Sequence, residues 1–179
     1  MLIDEETIRR ELRRLAAELV KAFKGRDLLV IAVLKGSCVF ASDLIRLLPL
    51  PLSLEFLSAS SYGEGTESRG TVNLRFLSDD LRLSGRSVLL VDDILDTGRT
   101  LKAVKERLFE LGADAVKTCV FLDKAARRAV DLQADFRCFE VEDVFVVGYG
   151  LDYAGRYRNL PYIAALRPEI YGGAPKSTS

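Results

Sequence analysis

Apolar and polar positions follow two different periods along the chain. Near the N-terminus, apolar residues recur every three or four positions between Asp4 and Gly25, which predicts an amphipathic helix with Asp4 as its N-cap. The apolar positions of this helix are Ile8, Leu12, Leu15, Leu19 and Phe23. The next segment, residues 28–34, is a short continuous apolar run, which is typical of a strand that is buried on both faces.

Predicted strands and helices alternate through the rest of the chain. Helices are predicted over residues 39–48, ended by Pro49 and Pro51, and over residues 101–111, closed by Gly112. Further strands are predicted over residues 52–62, 71–77, 87–91, 115–122, 136–139 and 145–148. This alternation predicts an α/β fold with a mostly parallel sheet flanked by helices on both faces.

The glycine-rich segment 63–70 is predicted to be a mobile loop, and residues 172–179 are predicted to be a flexible tail. Neither an internal repeat nor a linker divides the chain. We therefore expect residues 1–179 to form a single domain.

Composition narrows the possible functions. Lys plus Arg and Asp plus Glu both number 26, so we expect no broad attraction to nucleic acid or to a membrane surface. No run approaches the roughly 18 apolar residues that a membrane span requires. The three scattered cysteines form no C-x-x-C pair, which favours a reducing, cytoplasmic location. The chain contains no histidine, so Asp, Glu, Lys, Tyr and backbone groups remain for catalysis.

Polar clusters follow several predicted strands, at residues 35–37, at residues 92–100 and at Lys124. Parallel sheets bind ligands beyond the carboxyl ends of their strands, so these clusters are expected to share one cleft. Asp92 and Asp93 would repel each other in a half-buried crevice and therefore require a cation, hydroxyl donors or both. The DTGRT segment that follows begins a helix, whose free N–H groups favour a phosphate. A phosphorylated sugar with magnesium satisfies both requirements.

Three other interpretations of residues 88–100 can be compared with the sequence. For any single residue, a solvated strand end with Thr97 as a simple helix N-cap is equally consistent with the sequence. A receiver domain also has adjacent acids after an apolar strand, but after its first strand and near the start of the chain. A nucleotide-binding P-loop requires G-x-x-x-x-G-K-[ST], which neither glycine-containing loop supplies.

VLLVDDILDTGRT, residues 88–100, resembles the phosphoribosyl diphosphate motif of the type I phosphoribosyltransferases. VLKGS, SSYG, FLDK and EVEDVFVVGYGLDYAGRYRNLPYI resemble the hypoxanthine-guanine members of that family, and the similarity runs from about Val30 to Ile170. The resemblance implies the type I phosphoribosyltransferase fold with a small hood region. It also implies transfer of the 5-phosphoribosyl group from phosphoribosyl diphosphate to N9 of hypoxanthine or guanine, a purine salvage reaction that gives IMP or GMP and pyrophosphate. The implied cofactor is Mg²⁺, and the implied assembly is a homodimer or homotetramer.

The resemblance also assigns roles to individual residues. Asp96 is implied to be the base beside purine N7. The implied substrate contacts are Asp92 and Asp93 for the ribose hydroxyls, Thr97, Gly98, Arg99 and Thr100 for the 5′-phosphate, Lys35, Gly36 and Arg158 for pyrophosphate, and Lys124, Phe145 and Val146 for the purine. Asp92 and Asp93 are also implied magnesium ligands, partly through water, and Asp152 is implied to hold a magnesium that bridges pyrophosphate.

Two further features follow from the resemblance. Ser61 and Tyr62 are implied to close over the site with the 63–70 loop, which excludes water from an oxocarbenium-like transition state. A non-proline cis peptide is implied between Leu34 and Lys35. One departure is that Asp92 stands where many relatives carry Glu, which shortens the reach to the ribose by one methylene.

Several alternatives stay open from the sequence. Lys124 taken alone is more readily interpreted as a solvated surface lysine, and Phe145 is as readily a core phenylalanine. Together these residues favour a 6-oxopurine but do not rank hypoxanthine, guanine and xanthine, so transfer to xanthine or another base remains possible. A non-catalytic regulator that senses phosphoribosyl diphosphate is a further alternative, although it would normally carry a basic DNA-binding segment, which the chain lacks.

Overall fold

The structure is a computed structural model that describes residues 1–61, 72–78 and 81–171. Tyr62, the 63–70 loop and the 172–179 tail lie outside the described residues, so the predictions made for them stay predictions.

The described strands form a central sheet of six, in the order β3-β2-β1-β4-β5-β6. The strands are β1 Leu28–Leu34, β2 Leu52–Ser61, β3 Val72–Phe76, β4 Ser87–Leu95, β5 Ala115–Asp123 and β6 Phe136–Glu140. Neighbouring strands are parallel except β2 and β3, which are antiparallel. This arrangement confirms the predicted mostly parallel sheet.

Helices cover both faces of the sheet, as predicted. The helices are α1 Glu5–Phe23, α2 Ser37–Ile45, α3 Arg99–Glu110 and α4 Pro168–Tyr171. Alternate residues of β1 face opposite layers: Leu28, Val30 and Ala32 pack with α1 and α2, and Leu29, Ile31 and Val33 pack with α3. No helix in the part of the chain that the structure describes has the length and apolarity of a membrane span.

The ends of α1 confirm the helix signals in the sequence. Asp4 is the N-cap, and its carboxylate accepts a hydrogen bond of 2.7 Å from the Thr7 backbone N–H. Gly25 follows the last turn with a φ of 74°, a left-handed conformation that favours glycine.

The bounds predicted for α2 are wrong at both ends. The helix starts at Ser37, two residues earlier than predicted, and ends at Ile45 instead of Leu48. Leu47 and Leu48 donate to carbonyls three residues back, so the chain continues as tight turns. The residue before a proline is disfavoured in helical conformation, which explains why the helix cannot run to Leu48.

The prediction for β4 is wrong at its C-terminal end. The strand does not stop at Val91 but runs to Leu95, so Asp92 and Asp93 lie inside it. The extension follows its neighbour β5, because the pairing continues from Asp92 opposite Val120 to Leu95 opposite Asp123.

The strand predicted over residues 145–148 lies in a second, small sheet. Here β7 Val146–Val147 pairs antiparallel with β8 Ala164–Ala165. The N-terminus joins this region through a bridge between Ile3 and Ile163. This second sheet is the part of the structure that corresponds to the expected hood.

Candidate active site

A cavity forms where β4 turns into α3. It has a volume of about 230 Å³ and is lined by Val33, Asp92, Asp93, Ile94, Leu95, Asp96, Thr97, Gly98, Thr100 and Leu101. Gly98, not Thr97, is the N-cap of α3, with a φ of 79°, so the simple N-cap interpretation of Thr97 is wrong. The start of α3 lines this cavity, and the free backbone N–H groups of a first helical turn favour anions.

The same glycine sits against a neighbouring loop. A Cβ atom built on Gly98 would lie 2.9 Å from Val130 Cγ2 and 3.0 Å from Arg128 Cδ. The Thr97 carbonyl accepts a 3.0 Å hydrogen bond from the Ala129 N–H. The loop after β5 therefore holds the backbone of the cavity in place.

The two adjacent aspartates are partly buried on the floor of this cavity. Burial and the charge of Asp93 raise the pKa of Asp92 well above its ordinary value. Burial also raises the pKa of Asp93, against the lowering effects of its hydrogen bonds and of the Arg158 charge. The pair therefore favours a ligand that brings positive charge or hydroxyl donors, as the sequence predicted.

The loop after β1 contacts the aspartates directly. The Leu34–Lys35 peptide is cis, which confirms the expected bond. A Cβ atom built on Gly36 would lie 1.5 Å from Asp93 Oδ2, so any side chain at this position would have to displace the Asp93 carboxylate. The buried Ser37 hydroxyl donates a 2.6 Å hydrogen bond to the Val33 carbonyl and anchors the start of α2. The structure thus places residues 35–37 and 92–93 side by side.

Arg158 and Asp152 meet at the edge of the same loop. Arg158 Nη2 lies 2.6 Å from Asp152 Oδ1, and Arg158 Nη1 donates a 2.6 Å hydrogen bond to the Gly150 carbonyl. A Cβ atom on Gly150 would lie 2.1 Å from the Gly36 carbonyl oxygen. Both predicted residues are therefore brought to residues 35–37 by the hood.

Lys124 is buried, with only 5% of its surface exposed. Its Nζ donates a 2.6 Å hydrogen bond to the Val144 carbonyl and lies 4.0 Å from Asp143 Oδ1. The solvated-surface interpretation of Lys124 is wrong, because the loop before β7 folds over it. Its backbone N–H also donates to the Leu95 carbonyl at 2.9 Å, which links Lys124 to the end of β4.

Phe145 and Val146 lie beside this lysine on the hood. Phe145 is partly exposed, and its ring meets Tyr153 edge-on with centroids 5.6 Å apart. The Phe145 carbonyl accepts a 2.8 Å hydrogen bond from the Leu166 N–H, across β7 and β8. Because hydrogen-bonded and non-hydrogen-bonded pairs alternate along an antiparallel ladder, the Val146 N–H and C=O point away from β8. That edge is free to face a planar ligand, as expected for a residue that reads a base.

Asp96 connects the phosphate cavity to the purine side. Its Oδ1 is buried and accepts no hydrogen bond from the residues described by the structure, although Arg127 Nε lies 3.2 Å away in an ion pair. A buried acceptor without a donor is unfavourable unless a ligand supplies one. This is the atom expected to meet the purine proton.

Arg128, which was not among the residues predicted from the sequence, holds the backbone behind this site. Its Nε donates to the Asp96 carbonyl at 3.0 Å, its Nη1 donates to the Leu132 carbonyl at 2.7 Å, and its Nη2 also pairs with Asp123. The available sequence signal for Arg128 was a pair of adjacent arginines, Arg127 and Arg128, that follow Lys124 at the end of a strand. That signal could not identify the partners, which lie elsewhere in the chain.

Comparison with known proteins agrees with the geometry. A family model described as phosphoribosyl transferase domain matches residues 2–154. The hypoxanthine-guanine phosphoribosyltransferase of Bacillus subtilis is 44% identical over 172 residues, which are 96% of this chain and 94% of the relative. The chain belongs to the hypoxanthine-guanine phosphoribosyltransferase family.

Two further comparisons define the extent of this relationship. The crystal structure of a hypoxanthine phosphoribosyltransferase from Staphylococcus aureus matches with a TM-score of 0.88 at 42% identity, over 96% of this chain and 92% of that one. The bifunctional protein TilS/HprT of Listeria monocytogenes is 46% identical over 173 residues, but the chain spans only 26% of that relative's length. The predicted phosphoribosyltransferase fold is confirmed along nearly the whole chain.

Proposed function

We propose that the chain transfers the 5-phosphoribosyl group of phosphoribosyl diphosphate to N9 of hypoxanthine or guanine, as a pentosyl glycosyltransferase of purine salvage. The C1′–O bond to pyrophosphate breaks, the C1′–N9 bond forms, and the purine imidazole proton passes to Asp96. One observation carries the proposal: Asp92, Asp93 and the turn Thr97–Thr100 line a single cavity of about 230 Å³. Carboxylates for a sugar and backbone donors for its phosphate thus lie on the same cavity.

The 5′-phosphate is assigned to residues 97–100. The left-handed Gly98 and the start of α3 present N–H groups and the positive end of the helix dipole. Thr97 and Thr100 add hydroxyl donors, and Arg99, the first residue of α3, adds a positive charge nearby. These contacts to the phosphate position the sugar and leave its C1′ atom free to react.

The ribose hydroxyls and a magnesium ion are assigned to Asp92 and Asp93. Burial raises the pKa of both aspartates, and the Arg158 charge and the hydrogen bonds of Asp93 offset this only in part, which fits a divalent cation. Within the described ranges, no group of three or more acidic or thiol side chains forms a metal site. Magnesium usually binds one or two carboxylates, waters and substrate phosphates, so Asp92, Asp93 and Asp152 fit an ion that arrives with the substrate. When bound, Mg²⁺ supplies positive charge against the leaving pyrophosphate.

The pyrophosphate is assigned to Lys35, Gly36 and Arg158. Gly36 lies against Asp93, and Arg158 is held to the hood by Gly150 and Asp152. Positive side chains and backbone donors at this position stabilise charge that develops on the leaving group. Ser61 and Tyr62 remain the predicted lid that excludes water during the transfer.

The purine is assigned to the pocket between Lys124 and β7. The buried ammonium of Lys124 suits the purine O6, Phe145 supplies a ring face, and the Val146 backbone supplies donor and acceptor for the base edge. Asp96 is the base for the N7 proton, because its Oδ1 is a buried acceptor beside this pocket. These roles favour a 6-oxopurine, and xanthine remains a candidate substrate on the same grounds.

The organisation of the protein follows the same proposal. The described residues share one central sheet with helices on both faces, which supports a single domain over residues 1–179. We further propose a homodimer or homotetramer in the cytoplasm. Gel filtration with light scattering tests the assembly, and an elution mass near 19.9 kDa would contradict it.

Nucleotide formation tests the activity. The protein is mixed with Mg²⁺ and phosphoribosyl diphosphate, and hypoxanthine, guanine and xanthine are added in separate reactions followed by absorbance. The proposal expects IMP or GMP from the first two bases, with equimolar pyrophosphate. Phosphoribosyl diphosphate binding without product from any base would instead favour a sensing regulator.

A further inference from the structure

Arg127 lies between two carboxylates at the purine pocket. Its Nε is 3.2 Å from Asp96 Oδ1, and its Nη1 is 3.7 Å from Asp143 Oδ1. Asp143 Oδ1 is in turn 4.0 Å from Lys124 Nζ. The charges therefore alternate from Lys124 through Asp143 and Arg127 to the proposed base.

A short helical turn creates this arrangement. Residues Ala125–Arg127 form a 3₁₀ turn with Lys124 as its N-cap, closed by a 3.1 Å hydrogen bond from the Arg127 N–H to the Lys124 carbonyl. Side chains three residues apart in a 3₁₀ turn eclipse each other, so Lys124 and Arg127 point to the same side. Asp143, which follows them on the loop before β7, is close to both.

The Asp96 carboxylate depends on Arg127 for positive charge. Its Oδ1 is buried without a hydrogen bond from the described residues, and Arg127 is the cation that pairs with it. Arg128 contacts Asp96 only through the backbone carbonyl. Asp92 and Asp93, on the strand that leads to Asp96, add negative charge and supply no cation to it.

We propose that Arg127 is a positioning residue for Asp96. The Arg127 guanidinium holds the Asp96 Oδ1 atom in the purine pocket as the proton acceptor, and Asp143 holds the guanidinium. This inference rests on the proposed function, in which Asp96 receives the purine proton. The Arg127 side chain is 48% exposed, so the guanidinium has room to move aside when the purine imidazole approaches the same oxygen. Its role is to orient the Asp96 carboxylate and to supply positive charge beside it, and it acts through Asp96 and not on the purine or the sugar.

Arg127→Met tests the role because it removes the charge and keeps much of the aliphatic stem. We expect kcat to fall about tenfold, which is less than the roughly 10²–10⁴-fold that general-base help is worth, because the Asp96 carboxylate itself remains. KM for phosphoribosyl diphosphate should stay within about twofold, since the phosphate cavity and the aspartate pair are unchanged. Arg127→Lys should restore most of the lost rate, because a single positive charge on a similar stem is sufficient.

A double substitution isolates the route of the effect. If Arg127 acts through Asp96, then Arg127→Met should have almost no further effect on kcat in an Asp96→Asn background. Arg107→Met is the matched control. The Arg107 side chain is 51% exposed and pairs with Glu110 at 2.9 Å in the last turn of α3, at the opposite end of that helix from the cavity. The control should turn over like the wild type.

Three results would overturn the role of Arg127: an unchanged kcat for Arg127→Met, an equal loss in the Asp96→Asn background, or an Arg127→Lys variant as slow as Arg127→Met. The wild type is assayed in the same series with hypoxanthine and guanine. A wild type that forms no nucleotide contradicts the proposed function itself. A fully active wild type beside an unaffected Arg127→Met contradicts the positioning role alone.

Discussion

Gly36 and Asp93 contact each other so closely that a Cβ atom on Gly36 would lie 1.5 Å from Asp93 Oδ2. Gly36 lies in the loop after β1 and Asp93 lies on β4, the parallel neighbour of β1, so their contact joins the proposed pyrophosphate loop to the proposed ribose site. The backbone at Gly36 and the carboxylate of Asp93 are thereby fixed relative to each other.

Gly36→Ala is expected to displace the Asp93 carboxylate and to reduce kcat/KM for phosphoribosyl diphosphate by about a hundredfold or more, since small misplacements of reacting groups have effects of this size. Steady-state kinetics measure the effect. Gly112→Ala is the control: its site has no atom within 4 Å and a φ of 93°, so it should lower stability with little change in kcat/KM. Equal kinetics for the two variants would argue against a functional contact at Gly36.

Asp96→Asn is expected to reduce kcat by about 10²–10⁴-fold, because the amide cannot accept the purine proton as a carboxylate does. Calorimetry should show nearly unchanged binding of Mg²⁺–phosphoribosyl diphosphate. Asp131→Asn, an exposed aspartate on the loop after β5, is the control. Normal turnover by the Asp96→Asn variant would show that the base is another group.

Lys124→Ala is expected to weaken 6-oxopurine binding much more than phosphoribosyl diphosphate binding. The buried ammonium that donates to the Val144 carbonyl is replaced by a cavity on the purine side only. Titration calorimetry with each ligand measures the two affinities, and Lys102→Ala, an exposed lysine on α3, serves as the control. Equal losses for both ligands would contradict the assignment of Lys124 to the purine.

Arg128→Met is expected to lower the free energy of unfolding by about 3–5 kcal/mol, the usual cost of leaving one member of a buried ion pair without its partner. Arg128 is 15% exposed and its partner Asp123 is 7% exposed. Urea denaturation measures the loss. Arg137→Met removes a 49% exposed arginine that is 3.7 Å from the same aspartate, and it should cost about 1 kcal/mol or less. Similar losses would show that the Arg128 contacts contribute little.

The aspartate pair predicts an unusual pH dependence of stability. The folded-state pKa of Asp92 lies well above the unfolded value, so folding favours the protonated form. This contribution is present below the unfolded pKa, near pH 4, and is lost as pH rises through the folded pKa. The Asp92→Asn side chain cannot ionise, so the variant does not lose this contribution to stability as pH rises. The ligand-free variant should therefore melt at a higher temperature than the wild type at pH 7, and each kcal/mol of added stability should raise Tm by about 2–4 °C.

The difference in Tm between Asp92→Asn and the wild type should shrink toward about pH 4, where the wild-type carboxyl regains its proton. Calorimetric melting at several pH values measures it, and Asp131→Asn should show no comparable trend. A variant that melts lower than the wild type at pH 7 would mean that the ligand-free pair is already compensated. The same variant should bind Mg²⁺–phosphoribosyl diphosphate more weakly, because the compensating ligand loses a carboxylate.

Local patterns predicted the elements whose causes are local. The helical period between Asp4 and Gly25 and the apolar run of β1 gave the correct element types and nearly correct bounds. The motif at residues 92–100 predicted a site that the structure places on one cavity. Each depends on interactions within a few residues of the chain.

Features set by distant contacts could not be predicted in this way. β4 extends through Asp92 and Asp93 because β5 continues to pair with it. Lys124 is buried because a loop 20 residues further along covers it and supplies the Val144 carbonyl, which accepts a hydrogen bond from Lys124 Nζ. Arg128 reaches the Asp96 carbonyl across 32 positions, and no periodicity in the sequence encodes that contact.

A crystal structure of the protein with Mg²⁺ and phosphoribosyl diphosphate tests the central claim most directly. The account predicts the 5′-phosphate within hydrogen-bond distance, about 2.7–3.2 Å, of the backbone N–H groups of residues 97–100. It also predicts the ribose hydroxyls and the metal ion beside Asp92 and Asp93. A phosphate bound elsewhere, with the cavity between β4 and α3 filled only by solvent, would contradict it.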